Sequence, residues 1–221
     1  MKHQIESNWE HEFLEFAISS GALRFGEFNL KSGRLSPYFF NTGLFNNGAL
    51  LSILSRFYAK MLNTVEQQPF MLFGPAYKGI PLVATVATAL AEEYNRVVPF
   101  AFNRKEIKDH GEGGLIIGAK LTGRVVIVDD VVTAGTSATQ AAELITAAGA
   151  TPVALAIALD REEKGISDVT VTDEIRNRLD IDVHSIAKFS SLIKHLREIP
   201  LLSDNVPLLE AYHALYGASQ S

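Results

Sequence analysis

The chain contains no cysteine. Disulfides, thiolate catalysis and cysteine-ligated metals are therefore excluded, and the absence fits a reducing compartment. A membrane-spanning run is also missing. The longest mostly apolar stretch, residues 80–91, is too short to cross a bilayer and contains Pro81. Residues 1–12 are charged and lack an apolar centre, so they do not read as a signal peptide. No basic tail or run offsets the net charge of −5, which leaves no electrostatic footprint for nucleic acid or an anionic membrane. Neither a GxxxxGKS/T motif nor a GxGxxG after a strand occurs, so a P-loop and a dinucleotide fold are both unsupported. Internal repeats and low-complexity tracts are absent too. What remains is a 221-residue chain, 47% hydrophobic, able to bury one substantial core and read as a single cytoplasmic domain.

The most informative segment present is 125–137, VVIVDDVVTAGTS. Its first four residues are β-branched throughout, as expected of a strand buried on both faces. Asp129 and Asp130 sit where that strand runs out. Thr133, Gly135, Thr136 and Ser137 then offer hydroxyls and backbone N–H groups ahead of a helix predicted over 138–148. A helix N-terminus presents unpartnered N–H groups and the positive end of the dipole, which together favour phosphate. Paired acids beside a phosphate cradle become intelligible if one ligand carries both a phosphate and either polyol hydroxyls or Mg²⁺. A phosphorylated ribose meets that requirement.

The rest of the chain alternates strand and helix. Strands are predicted over 71–73, 98–102, 125–128, 153–159 and 181–186, with helices to 94 and over 138–148 and 174–179. That rhythm predicts an α/β fold, a mostly parallel sheet with helices on both faces, whose ligands bind beyond the carboxyl ends of the strands. The first forty residues break the alternation. A helix ending near Gly21 and a hairpin through Phe28, Leu30 and residues 38–40 read as a small cap. Helices around 190–197 and 205–216 read as covering elements.

Several polar segments fall at those carboxyl ends. Residues 74–79, GPAYKG, place the Lys78 cation in the same layer as Asp129. Residues 103–114, NRKEIKDHGEGG, mix Arg104, Lys105, Lys108 and His110 with acids and end in glycines, the pattern of a hinged lid that excludes water. Residues 28–41, FNLKSGRLSPYFFN, put Lys31 and Arg34 in a turn before Phe39 and Phe40. Neighbouring strand residues face opposite ways, so one of those rings is expected on the less buried face, available to cover a planar base. Asp160-Arg161 closes the strand 153–159 with a guanidinium suited to a carboxylate or paired carbonyls.

Residues 125–137 resemble the phosphoribosyl diphosphate (PRPP) signature of type I phosphoribosyltransferases. Taken with 28–41, 74–81, 103–114 and 159–165, they look like the orotate phosphoribosyltransferase family, in that family's order and over essentially the whole chain. The resemblance implies the type I phosphoribosyltransferase fold, with about residues 1–45 forming a hood and 103–114 a mobile catalytic loop. It implies transfer of phosphoribose from PRPP to orotate, a step of pyrimidine synthesis, with Mg²⁺ held mainly through PRPP and water near Asp129 and Asp130. PRPP would be bound by Lys31, Tyr77, Lys78, Arg104, Lys105, Lys108, His110, Asp129, Asp130, Val131, Val132, Thr133, Ala134, Gly135, Thr136 and Ser137. Of these, Lys78, Lys105, Lys108, His110 and the two aspartates would be catalytic. Phe39, Phe40, Thr133 and Arg161 would bind orotate. It further implies a homodimer in which Arg104, Lys108 and His110 reach the partner's site. A purine-specific relative or a PRPP-sensing regulator would share the PRPP loop; the first would differ at Phe39, Phe40 and Arg161, and the second would carry a nucleic-acid-binding element. His3, His11, His184, His195 and His213 show no metal-ligand spacing and are assigned no role.

Overall fold

A computed structural model describes residues 9–30, 33–108 and 114–218. Its centre is a six-stranded sheet: β3 (Met71–Gly74), β4 (Phe100–Lys108), β5 (Gly114–Gly118), β6 (Arg124–Val128), β7 (Thr151–Asp160) and β8 (Asp182–Lys188), in the order β5-β4-β3-β6-β7-β8. Every neighbouring pair is parallel except β4 with β5. Along β6 the alternation of side chains splits the core in two. Val126 and Val128 face one apolar cluster, together with α1 (Trp9–Ser19), α2 (Gly48–Val65), α3 (Gly79–Tyr94), α6 (Phe189–Glu198) and α7 (Val206–Tyr216). Val125 and Ile127 face the other, with α4 (Thr136–Ala147) and α5 (Val171–Leu179). This two-sided burial is why the strand is continuously apolar instead of alternating.

The cap consists of α1 and a two-stranded antiparallel hairpin, β1 (Leu23–Asn29) with β2 (Leu35–Phe40). Here β1 starts earlier than the sequence predicts. Only Leu23 of that strand is buried, so it carries little apolar signal.

The segment 103–114, expected to be a loop, is strand as far as Lys108, and β5 follows it. The pairing slips between Asn103 and Lys108. Gly118, with φ +103, lets β5 approach β4, since a Cβ there would stand 2.6 Å from the Phe100 carbonyl oxygen. Among the described residues, no helix is long and apolar enough to cross a membrane.

Candidate active site

Asp129 and Asp130 lie just past β6, yet the main chain stays registered on β7. The Asp129 N–H donates to the Ala156 carbonyl at 3.0 Å, and the Asp130 carbonyl accepts from Ala158 N–H at 2.8 Å. Tyr58 of α2 adds a buried hydroxyl that donates to the Asp129 carbonyl at 2.7 Å. The acids are therefore held by the sheet itself and not by a flexible turn. Both are nearly buried, at 7% and 5% exposure.

Their environments differ. Asp130 accepts from Lys78 Nζ at 2.6 Å, from the Thr42 hydroxyl, and from its neighbour Val131 N–H at 2.8 Å. Asp129 accepts from Asp130 N–H at 2.9 Å. Burial, and then the adjacent Asp130 charge, push the Asp129 carboxyl up to about 6, although hydrogen bonds from the Asp130 backbone and the Ser137 side chain oppose the rise. Tyr58 is held well above its ordinary range by burial, with both aspartates adding to the effect, so it remains a neutral donor.

Val131 to Ser137 then lead into α4. Thr133, Ala134, Thr136 and Ser137 are exposed, and Gly135 stands at the helix N-cap in the left-handed region, φ +70. No side chain caps α4, so its first N–H groups are free to meet an anion. By contrast, α2 and α5 are closed by the Asn47 and Thr170 side chains. Glycine is needed at 135, because a Cβ there would lie 2.8 Å from both Ile175 and Arg178 side-chain atoms.

The turn between β3 and α3 brings Lys78 into this layer. Gly74 and Gly79 close it tightly, since a Cβ on Gly74 would stand 2.2 Å from the Gly79 carbonyl oxygen. Asn103 Oδ1 accepts from Ala76 N–H at 3.0 Å, and the Ala76–Tyr77 peptide is cis. Tyr77 is 67% exposed, and Lys105 Nζ lies 4.8 Å from its ring centroid. Arg104 Nη1 donates to the Gly114 carbonyl at 3.3 Å. Lys31 and His110, as well as the Lys108 side chain, lie outside the described residues.

Arg161 directly follows β7, its guanidinium 4.3 Å from the ring centroid of Tyr38 in the hairpin. Phe39 is half-buried and stacks on Phe28 at 5.5 Å. Phe40 faces the other way: the residue is 7% exposed and its ring packs edge-on against Phe13 and Phe45. Alternation along a strand puts one ring in and one out, and the α1 partner decides which.

The sequence reading missed Thr42, Tyr58 and Asn103. The Asn-Thr-Gly at 41–43 is legible as a turn, but nothing in it signals a contact with Asp130. Tyr58 falls within the helical stripe of α2, and its hydrogen bond spans 71 positions.

The phosphoribosyl transferase domain model matches residues 41–192, beginning directly after the hairpin. The chain is 53% identical over 209 residues to the orotate phosphoribosyltransferase of Thioalkalivibrio sulfidiphilus, covering 95% of this chain and 98% of that protein. The crystal structure of orotate phosphoribosyltransferase from Francisella tularensis superposes with a TM-score of 0.84 at 40% identity, over 94% of this chain and all of that one. The UMP synthase of Leishmania donovani is similar at a TM-score of 0.72 and 26% identity. There 93% of this chain matches 42% of the longer protein.

Proposed function

Since the chain belongs to the orotate phosphoribosyltransferase family, we propose that it transfers phosphoribose from PRPP to N1 of orotate, forming orotidine 5′-monophosphate and diphosphate. One observation carries this reading. A buried acid pair, an uncapped helix N-terminus and the Lys78 ammonium converge at the end of one strand. The N–H groups opening α4 and the hydroxyls of Thr136 and Ser137 take the 5′-phosphate. Asp129 and Asp130 accept from the ribose hydroxyls. Tyr77, Lys78 and Lys105 face the diphosphate.

Orotate is already an anion, so no dedicated general base is required. The barrier lies in releasing a highly charged diphosphate while positive charge grows on the ribose ring. Catalysis is then mostly positioning and electrostatic stabilisation. Lys78 exchanges Asp130 for the leaving group, and the freed carboxylate faces the ring as it becomes cationic. Arg161 and Thr133 meet the polar edge of the base, and the Phe39 ring covers its plane.

The acid pair also suits Mg²⁺, which takes one or two carboxylates plus substrate oxygens and water. Among the described residues, no group of three histidines or carboxylates forms a complete cage. When bound, the metal would neutralise diphosphate charge.

Arg104, Lys108 and His110 are assigned to the neighbouring subunit's site in a homodimer, whereas Lys105 already faces Tyr77 of its own chain. Mixing separately inactive Lys78→Ala and Lys108→Ala chains should then restore activity. No recovery would argue against sharing. The assignment as a whole is tested by measuring orotate consumption with PRPP and Mg²⁺, with and without chelator. Consumption that needs PRPP and is lost with chelator supports it, and activity with adenine or guanine instead of orotate would overturn it.

A further inference from the structure

Arg161 does not stand alone. Its Nε donates to Glu163 Oε1 at 2.8 Å, and its Nη2 lies 2.6 Å from the same oxygen and 3.4 Å from the Ser36 hydroxyl. The other Glu163 oxygen accepts from Arg34 Nη1 at 3.3 Å, and Tyr212 donates its hydroxyl to Oε1 at 3.1 Å. Arg34 comes from the turn between β1 and β2, and its guanidinium lies 4.7 Å from the Tyr216 ring centroid. One carboxylate thus gathers a cation from the hairpin, a cation from the sheet and a hydroxyl from α7. Its side chain is only 12% exposed and that of Arg161 13%, so this is not a solvated surface pair.

Two guanidinium groups share a single acid, and one positive charge is left over. That balance suits a planar base bearing one negative charge. Arg161 spends Nε and part of Nη2 on Glu163 and also bonds Tyr212, while Arg34 directs Nη1 at Glu163. Without the acid, two like charges would face each other unscreened and spread apart.

We infer that Glu163 is a positioning residue for base recognition, fixing Arg34 and Arg161 together so that their remaining donors meet the carboxylate of the base. This rests on the reading of Arg161 as an orotate contact. Glu163 itself does not touch the substrate. Preorganised donors lose less freedom on binding, so the effect belongs in affinity for the base.

Steady-state kinetics of the full chain, varying each substrate in turn, tests the inference. Glu163→Gln preserves shape but removes charge, and it should raise KM for orotate about tenfold, the loss expected on weakening a charge-assisted hydrogen bond. KM for PRPP and kcat should stay near their original values. An unchanged or lowered KM for orotate, or an equal loss for both substrates, overturns the inference. Tyr212→Phe removes one donor to Glu163 and should shift KM for orotate the same way by less; Arg34→Ala should also raise it. If Glu163→Gln fails to fold, those two variants decide, and an unchanged KM in both is fatal. Arg161→Ala separates the two levels. If it leaves KM for orotate alone, the site reading fails; if it raises KM while Glu163→Gln does not, only this inference fails.

Discussion

The two ends of the central sheet each hold a buried acid beside a cation, and only one of them is built to receive a ligand. At the carboxyl end, Asp130 meets Lys78, whose side chain is 59% exposed, next to the uncapped start of α4. At the amino end, Glu66 accepts from Arg124 Nη2 at 2.8 Å, with His184 Nε2 4.0 Å away. Arg96 closes that end by donating to the Glu66 and Gln68 carbonyls at 2.8 and 3.3 Å, its guanidinium 4.8 Å from the Phe70 ring centroid. A groove of about 830 Å³ lies there, wider than the cavity of about 430 Å³ between Thr42, Asn47 and Lys78. Size alone therefore misleads. At the amino end Arg96 and Arg124 are held by carbonyls and Glu66, with the Arg124 Nε buried and unpartnered; at the carboxyl end Lys78 pairs with Asp130 from a mostly exposed side chain, beside N–H groups of α4 that no side chain caps. An uncapped helix start beside an exposed ammonium distinguishes the site, not volume.

Lys78→Ala should break this contrast most sharply. Turnover should fall by roughly 10²–10³, as when a preorganised charge-stabilising donor is removed. Stability should fall by much less than turnover, because Asp130 loses its cation but keeps the Thr42 hydroxyl and the Val131 N–H, and near-normal turnover would remove Lys78 from the mechanism. Gly135→Ala comes next. Its left-handed backbone and the crowding against Ile175 and Arg178 should cost about 1–3 kcal/mol in chemical denaturation and weaken PRPP binding in calorimetry. At the other end, Glu66→Gln should cost about 1–3 kcal/mol of stability by unpairing Arg124. Activity per folded molecule should be unchanged, and a selective loss of PRPP affinity would blur the distinction between the two ends.

The smallest effect is one of pH. Asp129 has its carboxyl raised from 3.8 to about 6, so the folded state holds the extra proton between those values. Stability should therefore decline as pH rises through that window and level off above it. Asp129→Asn should flatten the slope in denaturation measured across that range. In the intact protein, kcat/KM for PRPP should rise through pH about 6 as the acid ionises to accept the ribose hydroxyls. A profile without that inflection would detach Asp129 from substrate binding.

Much of this was legible in the chain. Strands β3, β6 and β7 are apolar runs because both their faces are buried, and the acids after β6 stand out against that background. The edge strand β5 was not legible. Its leucine and isoleucines are only half-buried, and glycines bound it at both ends, so it reads as the tail of a loop. The partners of the site were hidden for another reason. Thr42, Tyr58 and Glu163 reach their functional neighbours across long sequence separations, or share a carboxylate among three elements. Local pattern carries no trace of such contacts. Phe40 illustrates the limit of periodicity, which fixes opposite faces but not which face is inward.

The most direct test is a crystal structure of the full chain soaked with PRPP and Mg²⁺. The 5′-phosphate should lie on the N–H groups that open α4, with the ribose hydroxyls against Asp129 and Asp130. A sugar phosphate bound instead among Arg96, Lys120 and Arg124 would contradict it.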